Sequence, residues 1–220
     1  MLTHVIWDWN GTLLNDVNLN CALMNRMLRR RGMPVIPNLS RYRELFRFPI
    51  REYYRAAGFD FARESYEELA AEYLAEYPEE SLRCPLAEGA EEALEAFCQA
   101  GLSQNILSAA ETGCLTRQLE HLGLVGRFDR VLALDNGYGG GKIELGRRWL
   151  SECGADPGQT VLIGDTDHDW ETARALGCRC ILTAAGHQSR KALERLGVPV
   201  LDSLYEVREW VLDAGTEDTR

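Results

Sequence analysis

Lysine is almost absent from this chain. Of its 24 basic residues only two are lysines, Lys142 and Lys191, and neither lies within residues 16–82. Residues 16–82 therefore cannot supply a lysine that forms a Schiff base with a substrate. Acidic residues outnumber basic ones by 34 to 24, and the formal net charge is −10. This balance argues against a nucleic-acid partner, which requires a basic surface.

Long apolar runs and paired cysteines are also missing. No run approaches the roughly 18 residues that a membrane-spanning helix needs, and no charged-then-apolar leader opens the chain. The seven cysteines are scattered, and Cys178 and Cys180 lack a second pair or a nearby histidine. We therefore expect a cytoplasmic protein with reduced thiols and no membrane partner.

The arginines are unevenly distributed. Ten of them fall between residues 17 and 63 among three acidic residues, whereas residues 64–95 hold a single arginine among many acidic residues. Solvent-exposed helix faces account for most of these arginines. The local positive charge also favours a small anionic ligand, touched by one or two of them. Arg47 is the strongest candidate for a substrate contact, with a surface position as the alternative.

Two hydrophobic patterns divide the chain. Residues 16–82 show apolar residues at helical spacing and no strand pattern. An apolar strand at residues 4–7 precedes this region, and from residue 83 onward helices alternate with short apolar strands. Such alternation predicts an α/β fold with a Rossmann-like, doubly wound parallel sheet covered by helices on both faces. We expect a core of residues 1–15 and 83–220, with an all-helical insertion at 16–82.

The pattern also predicts individual elements. After the insertion, strands are expected at residues 103–107, 130–134, 160–163, 179–183 and 198–200. Helices are expected at residues 89–100, 112–122, 143–153, 169–176, 189–196 and 203–213. Within the insertion, Ser40 is expected to cap the start of a helix and Gly58 to end another. Residues 215–220 are polar and expected to be disordered.

Polar residues follow the apolar strands where each strand is expected to end. The first strand runs into Asp8, a later one runs into Asp165 and Asp169, Ser108 follows another, and Lys142 opens a helix. For Asp8 alone, capping of a loop is an equally good interpretation. In a doubly wound sheet, however, these strand ends meet at one crevice. Clustered carboxylates need a shared cation, and oxygen ligands favour Mg²⁺.

Four ordered motifs resemble those of the haloacid dehalogenase superfamily. They are Asp8-Trp9-Asn10-Gly11-Thr12-Leu13, Ser108, Lys142 and Gly164-Asp165-Thr166-Asp167-His168-Asp169. The closest resemblance is to the phosphoglycolate-phosphatase-like branch, in which a helical cap follows the first motif; we call residues 16–82 the cap. The resemblance covers nearly the whole chain and implies a Mg²⁺-dependent phosphatase acting on a small phosphate ester. The oligomeric state is not predicted.

The resemblance also implies roles for individual residues. Asp8 is the nucleophile that forms an aspartyl-phosphate, and Lys142 neutralises charge on the phosphoryl oxygens. Mg²⁺ is held by the carboxylates of Asp8 and Asp165 and by the backbone carbonyl of Asn10, while Asp169 binds a metal-bound water or orients Lys142. For Lys142, exposure at the start of a helix is the alternative. Four further residues are implied in substrate binding: Gly11, Thr12, Ser108 and, through its N–H, Ala109.

Asn10 departs from the pattern of phosphatases in this superfamily, which usually carry aspartate at this position. That aspartate protonates the leaving oxygen and then activates water, whereas an amide cannot transfer a proton at neutral pH. Loss of general acid–base help typically costs about 10²–10⁴-fold in rate. The ligand at this position is a backbone carbonyl, so Mg²⁺ binding is expected to survive the replacement.

Three functions are compatible with this departure. The first is a phosphatase that tolerates Asn10 through a good leaving group, or through Asp167 or His168 as a substitute. The second is a slow enzyme or a non-catalytic phosphate-ester-binding protein, regulated by a partner. The third is other chemistry of the superfamily. Phosphonate hydrolysis needs a cap lysine, which this chain lacks. Haloacid dehalogenation does not need the metal site, so the presence of Asp165 and Asp169 counts against it.

Three remaining patterns have simpler interpretations. The glycine-rich residues 136–141 do not fit a phosphate-binding loop, because the first position is not glycine and an isoleucine follows the lysine. They are interpreted as a flexible lead-in to Lys142. Of the four histidines, His168 alone is expected at the site. Trp7 is expected in the core, whereas Trp9 is a candidate to face substrate between core and cap.

Overall fold

The fold is built on one parallel sheet. The computed structural model describes residues 1–134 and 141–214. The strands are β1 His4–Trp7, β2 Ser103–Glu111, β3 Arg130–Leu134, β4 Thr160–Gly164, β5 Arg179–Thr183 and β6 Val200–Leu201. They pair in the order β3-β2-β1-β4-β5-β6, and every pair is parallel. The predicted doubly wound parallel sheet is confirmed.

Helices connect the strands and form the insertion. The α-helices of the described residues are α1 Val17–Arg30, α2 Leu39–Leu45, α3 Ile50–Ala57, α4 Tyr66–Glu80, α5 Ala90–Gln99, α6 Thr112–His121, α7 Lys142–Cys153, α8 Asp167–Leu176, α9 Arg190–Leu193 and α10 Leu204–Ala214. Short 3₁₀ helices occupy Ser81–Arg83, Pro157–Gln159 and Glu194–Leu196. None of the described helices combines the length and apolar character needed to cross a lipid bilayer.

The sheet is buried on both faces because its central strands place apolar side chains on each of them. In β1, Val5 and Trp7 belong to one core cluster with Phe97 of α5, whereas Ile6 belongs to another with Trp149 of α7. This alternation follows from the two-residue period of a strand. Helices must therefore cover both faces, which leaves the strand ends as the place for polar side chains.

The cap is all helical and has its own apolar cluster. Residues 16–82 contain α1 to α4 and no strand, and a separate cluster joins Met24 and Leu28 of α1 to Tyr42 of α2, Tyr54 of α3 and Leu69 of α4. This arrangement agrees with the predicted helical insertion. The exact division of the chain into core and cap stays a prediction.

Two helix boundaries in the cap test the predictions made for Ser40 and Gly58. Gly58 ends α3 with φ 112°, as predicted, because glycine tolerates this left-handed conformation. Ser40 is not the cap of α2, so this prediction was wrong. Asn38 has the extended backbone that a cap requires, and its side chain accepts from the Arg41 N–H, whereas Ser40 lies in the first helical turn.

The two chain crossings between core and cap lie side by side. The Ala87 N–H donates to the Leu13 carbonyl at 2.8 Å, and the Asn15 N–H donates to the Pro85 carbonyl at 2.9 Å. An antiparallel bridge between Leu14 and Leu86 lies between these bonds. The cap therefore enters and leaves the core through one short two-stranded connection.

Two predictions fall on residues outside the described part of the chain. They are the flexible lead-in, most of which lies in residues 135–140, and the disordered tail at residues 215–220. Both stay predictions.

Candidate active site

Asp8 lies just beyond β1, at the centre of the sheet. β1 pairs with β2 on one side and β4 on the other, so the connections change direction beside it. The Asp8 N–H donates to the Ile163 carbonyl of β4 at 2.8 Å, which fixes its backbone at the strand end. The residue is only 8% exposed. Its carboxylate is therefore held in the crevice where doubly wound sheets bind ligands.

Lys142 reaches the same carboxylate from the first turn of α7. Its Nζ donates to Asp8 Oδ1 at 2.6 Å and also to Asp169 Oδ1. Burial disfavours the charged lysine, but the two carboxylates outweigh burial and hold the pKa of Lys142 above its ordinary value. Lys142 is thus a buried cation, and exposure at the start of a helix is excluded.

Asp169 holds the turn that follows β4. Its Oδ2 accepts from the N–H groups of Asp165 and Thr166 at 3.1 and 3.0 Å, and from the Thr166 hydroxyl at 2.7 Å. Burial favours the neutral acid, but Lys142 outweighs it and keeps the pKa of Asp169 below its ordinary value. Both oxygens of Asp169 therefore have donors, and one of these donors is Lys142.

Asp165 is enclosed by backbone at the end of β4. Its Oδ2 accepts from the His187 N–H at 2.5 Å. A Cβ atom at Gly11 would lie 2.3 Å from this oxygen, and one at Gly186 would lie 2.2 Å from it. Gly11 also has φ 78°, a conformation that favours glycine. Since only glycine permits this approach, these two residues allow the chain to close around the carboxylate.

The three carboxylates form one buried acidic cluster. Oxygen atoms of Asp8, Asp165 and Asp169 lie within 4.8 Å of one another. Burial, which Lys142 only partly offsets, raises the pKa of Asp8 to about 6. Burial, reinforced by the neighbouring carboxylates, raises the pKa of Asp165 to about 8.

A bound cation would compensate the clustered negative charge and would so favour the ionised forms of Asp8 and Asp165. The donor set offered by the described residues consists of oxygen atoms alone, the type of ligand that a hard divalent ion such as Mg²⁺ prefers. Asp8 and Asp165 also keep oxygen atoms that Lys142 does not contact. The residues present therefore fit a Mg²⁺ site.

Thr12, Ser108 and Ala109 lie at the same edge of the sheet. The Thr12 hydroxyl is buried between Asp8 Oδ2, at 3.4 Å, and Asp165 Oδ1, at 3.3 Å. Ser108 is buried inside β2, which is longer than predicted, and its Oγ accepts from the Ala110 N–H at 3.1 Å. A hydroxyl that accepts can still donate one hydrogen, so Ser108 remains suited to hold an oxyanion. Ala109 is exposed next to it.

The Asn10 side chain is turned toward the cap. Its Nδ2 donates to Asp16 Oδ2 at 3.0 Å and to the Tyr77 hydroxyl oxygen at 2.5 Å. Asp16 is buried and also accepts from the Tyr77 hydroxyl at 2.7 Å and from Asn20 Nδ2 at 2.8 Å. The amide at position 10 therefore supplies a donor to a buried carboxylate, which aspartate at this position could not do.

His187 is a site residue that the sequence analysis missed. Besides donating its N–H to Asp165, it places Nε2 3.1 Å from Asp16 Oδ1 and Nδ1 2.8 Å from the Tyr42 hydroxyl. Burial favours the neutral ring, but Asp16 outweighs it and raises the pKa of His187 to about 9. The sequence did place His187 shortly after the predicted strand β5, and that strand ends at the same crevice, so this position could have indicated a site residue.

Two expected substrate contacts look different in the structure. Trp9 is fully buried and donates Nε1 to Gln118 Oε1 at 2.8 Å, so the prediction that it faces substrate was wrong. Arg47 is exposed and donates to the carbonyls of Leu45 and Glu44 in its own segment. A substrate contact through Arg47 would require these bonds to break.

Trp7 lies in the core as expected. The expectation that His168 alone among the histidines lies at the site was wrong, because His187 contacts Asp165. The ring of His168 stacks on Phe48 of the cap, with centroids 4.6 Å apart. Burial lowers the pKa of His168, and Lys142 adds to this effect. Trp7 is fully buried in the core. Phe48 thus brings the cap into direct contact with the helix that carries Asp169.

The class of protein is α/β, with a doubly wound parallel sheet, buried carboxylates at the strand ends and a helical insertion. The sequence profile of the haloacid dehalogenase-like hydrolases matches residues 5–183, and the chain belongs to this family. No curated protein matches the sequence.

Several solved structures share the fold over nearly their whole length. One is described as a predicted phosphatase from Clostridium acetobutylicum, with 19% identity, a TM-score of 0.80 and coverage of 97% of this chain and 99% of that chain. Protein Tyrosine Kinase A of Mycobacterium tuberculosis has 23% identity, a TM-score of 0.79 and coverage of 96% and 98%. A predicted phosphoglycolate phosphatase from Haemophilus somnus has 16% identity, a TM-score of 0.74 and coverage of 94% and 97%.

Proposed function

We propose that this protein is a Mg²⁺-dependent phosphatase that hydrolyses a small phosphorylated metabolite through an aspartyl-phosphate on Asp8. The observation that carries the proposal is the buried acidic cluster, in which Lys142 holds one oxygen of Asp8 and the other lies on the side of Thr12 and Asp165. Membership in the hydrolase family supports a hydrolytic reaction. Two of the structural neighbours are described as predicted phosphatases.

Four residues would hold the metal. They are Asp8 and Asp165 through carboxylate oxygens, Asn10 through its backbone carbonyl, and Asp169 through a water molecule. When bound, Mg²⁺ supplies charge that draws the phosphate toward the nucleophile and stabilises the transition state. The same charge would allow Asp8 and Asp165 to remain ionised despite their burial.

Different residues would attack phosphorus and stabilise the phosphoryl oxygens. The carboxylate oxygen of Asp8 that Lys142 does not contact forms a bond to phosphorus, the ester P–O bond breaks, and the leaving oxygen departs with the electron pair. Lys142, the Ser108 hydroxyl and the Ala109 N–H would donate to the phosphoryl oxygens as charge develops on them. Water then attacks phosphorus, which releases inorganic phosphate, restores the carboxylate and delivers one proton to solvent.

Gly11 and Thr12 would support this geometry rather than bind phosphate through their backbone. The Gly11 N–H donates to the Leu14 carbonyl at 2.9 Å and the Thr12 N–H donates to the Trp9 carbonyl at 3.3 Å. Gly11 permits the close approach to Asp165, and the Thr12 hydroxyl spans Asp8 and Asp165. Both residues thereby fix the distance between the nucleophile and its neighbouring carboxylate.

Asn10 restricts the substrates that can react quickly. Its amide is held by Asp16 and Tyr77 and cannot protonate the leaving oxygen. A leaving group that is stable without a proton, such as a phenolate or a carboxylate, does not need this help. We therefore propose that aryl or acyl phosphates are hydrolysed faster than alkyl phosphates, by a factor within the roughly 10²–10⁴ that general acids contribute.

The proposal is tested with an aryl phosphate and a panel of alkyl phosphates, assayed with Mg²⁺ and with EDTA. We expect Mg²⁺-dependent phosphate release that the Asp8→Asn variant loses. Asp202→Asn is the matched control, because Asp202 pairs with Arg190 on the surface. Unchanged turnover in Asp8→Asn would end the proposal.

The engagement of Asn10 also favours a second candidate function. A protein without a proton donor at this position can bind a phosphate ester with Mg²⁺ and release no phosphate. Such a protein would show saturable binding of the same esters, retained in Asp8→Asn, with no phosphate formed from any of them. Phosphate release from even one ester excludes this candidate.

A further inference from the structure

One segment of the core contacts the acidic cluster on one side and the cap on the other. Residues 184–189 follow β5, and within them Gly186 and the His187 N–H pack against the Asp165 carboxylate. This backbone donor approaches Asp165 Oδ2 to 2.5 Å, so the position of the segment sets the orientation of that carboxylate. The segment therefore acts directly on one of the proposed metal ligands.

Arg43 of α2 in the cap donates hydrogen bonds to carbonyl groups of this segment. Arg43 Nε donates to the Gly186 carbonyl at 2.8 Å, and its terminal nitrogen donates to the Ala185 carbonyl at 2.7 Å. The Ser189 N–H in turn donates to the Arg43 carbonyl at 3.2 Å. Three hydrogen bonds thus join one cap residue to both ends of the segment.

His187 receives a second set of cap contacts. The Tyr42 hydroxyl, one residue before Arg43, lies 2.8 Å from its Nδ1, and the Phe46 ring stacks on the imidazole with centroids 4.7 Å apart. Tyr42 is fully buried, and His187 is nearly so. The peptide N–H that touches Asp165 therefore belongs to a residue whose side chain is enclosed by α2 and the segment that follows it.

We infer that Arg43, assisted by Tyr42, is a positioning residue for the metal site, and that the cap must be docked on residues 184–189 for Asp165 to bind Mg²⁺ tightly. This inference deepens the proposed function and rests on its Mg²⁺ site. Groups that hold a metal ligand in place commonly contribute about 10–100-fold to metal affinity. Because coupling between two sites is reciprocal, Mg²⁺ also favours the docked cap.

The test is isothermal titration of Mg²⁺ into the full chain without substrate. We expect Arg43→Ala to weaken Mg²⁺ affinity about tenfold, and Tyr42→Phe to weaken it less, because Tyr42→Phe removes one hydroxyl and keeps the ring. Arg41→Ala is the matched control, since Arg41 lies on the same helix and its side chain pairs with Glu44 of that helix. Circular dichroism verifies that each variant is folded.

A kinetic measurement adds a second criterion. Activity of Arg43→Ala on the aryl phosphate is expected to recover when Mg²⁺ is raised about tenfold, whereas a defect in substrate binding would persist. Equal Mg²⁺ affinity in wild type, Arg43→Ala and Tyr42→Phe would overturn the inference and leave the proposed function intact. Failure of the wild-type chain to bind Mg²⁺ would instead reject the metal site itself, and the inference with it.

Discussion

Asn10 and Asp16 show how a single amide changes the character of the site. Position 10 donates a hydrogen bond to a carboxylate that is buried, paired with His187 and contacted by Tyr77. His187 holds the pKa of Asp16 below its ordinary value although burial acts in the opposite direction. The carboxylate at position 16 thus needs a neutral donor beside it, and Asn10 supplies one.

We expect Asn10→Asp to destabilise the protein, because it places two carboxylates about 3 Å apart in a buried site. Asp16→Asn is expected to destabilise it as well, since His187 loses its partner. The double variant exchanges amide and carboxylate and restores their hydrogen bond. Its loss of unfolding free energy should therefore fall short of the sum of the single losses by about 0.5–3 kcal/mol. Urea unfolding at pH 7 measures this difference, and additive losses would contradict it.

At this scale the sequence revealed the residues that lie in motifs and missed those that lie outside them. Asp8, Lys142, Asp165 and Asp169 converge as the strand ends indicated. His187 has no spacing that links it to another ligand, and its importance arises from a backbone N–H, which no side-chain pattern reveals. Contacts of this kind become visible only when the turn geometry is known.

Among the elements, α1 and α4 of the cap, with the residues that flank them, are joined by ion pairs in addition to their shared apolar cluster. Arg26 pairs with Glu76 and Glu80, and Arg31 pairs with Glu64 and Glu72, at distances of up to 2.7 Å. The arginine-rich and acidic halves that the sequence analysis noted are therefore partners of each other. Arg26 and Arg31 are only partly exposed, so ion pairing accounts for them better than simple solvent exposure does, while Arg43 is one that reaches the core.

This ion-pair network predicts an acid-sensitive cap. Hydrogen bonds from Arg31 hold the pKa of Glu72 below its ordinary value. A carboxyl whose pKa is lowered by folding stabilises the protein above its unfolded pKa of about 4.3, and this contribution is lost as pH falls through the folded pKa. We expect Arg31→Met to lower the urea midpoint at pH 7, and the difference from wild type to shrink below about pH 4.

Tyrosine circular dichroism is the suitable probe for this experiment, because six of the eight tyrosines lie in residues 16–82. Arg63→Met is the matched control, since Arg63 is exposed and its Nε lies 3.5 Å from Asp60. A difference between Arg31→Met and wild type that stays constant from pH 7 to pH 3 would contradict the prediction.

Element boundaries were predictable where local chemistry decides them. β3 and β5 begin and end at the residues predicted for them, and Gly58 ends α3. β2 extends to Glu111, beyond its apolar run, because pairing with β3 continues across a register shift. Such pairing depends on a neighbouring strand and not on the local sequence, so the sequence alone placed Ser108 after the strand and not inside it.

For the whole molecule, the buried acidic cluster predicts that Mg²⁺ stabilises the folded state. An ion that binds only the folded protein adds about 2.7 kcal/mol to the unfolding free energy at 100 times its dissociation constant. Tryptophan fluorescence should show this shift in urea unfolding, since all five tryptophans lie outside residues 16–82. Asp165→Asn should abolish the shift and Asp202→Asn should keep it. An unfolding midpoint that ignores Mg²⁺ would contradict the proposed site.

The architecture as a whole was largely readable from the sequence. Alternating helices and apolar strands specify a parallel sheet, and the change of pattern at residues 16–82 marks an insertion. The contact between insertion and core was not readable, because it depends on Tyr42, Arg43 and His187, which are distant along the chain. Periodicity describes each element separately and contains no information about docking.

The two connections between core and cap, which are joined by the bonds Leu13–Ala87 and Asn15–Pro85, have a consequence for engineering and for evolution. Because the incoming and outgoing strands run within hydrogen-bonding distance, 2.8 and 2.9 Å, a tight turn of two residues suffices to bridge them. The cap could therefore be removed or exchanged as one piece without breaking the connectivity of the sheet. A replacement cap would also have to supply hydrogen-bonding groups equivalent to Arg43 and Tyr42, because these two residues contact the segment beside Asp165.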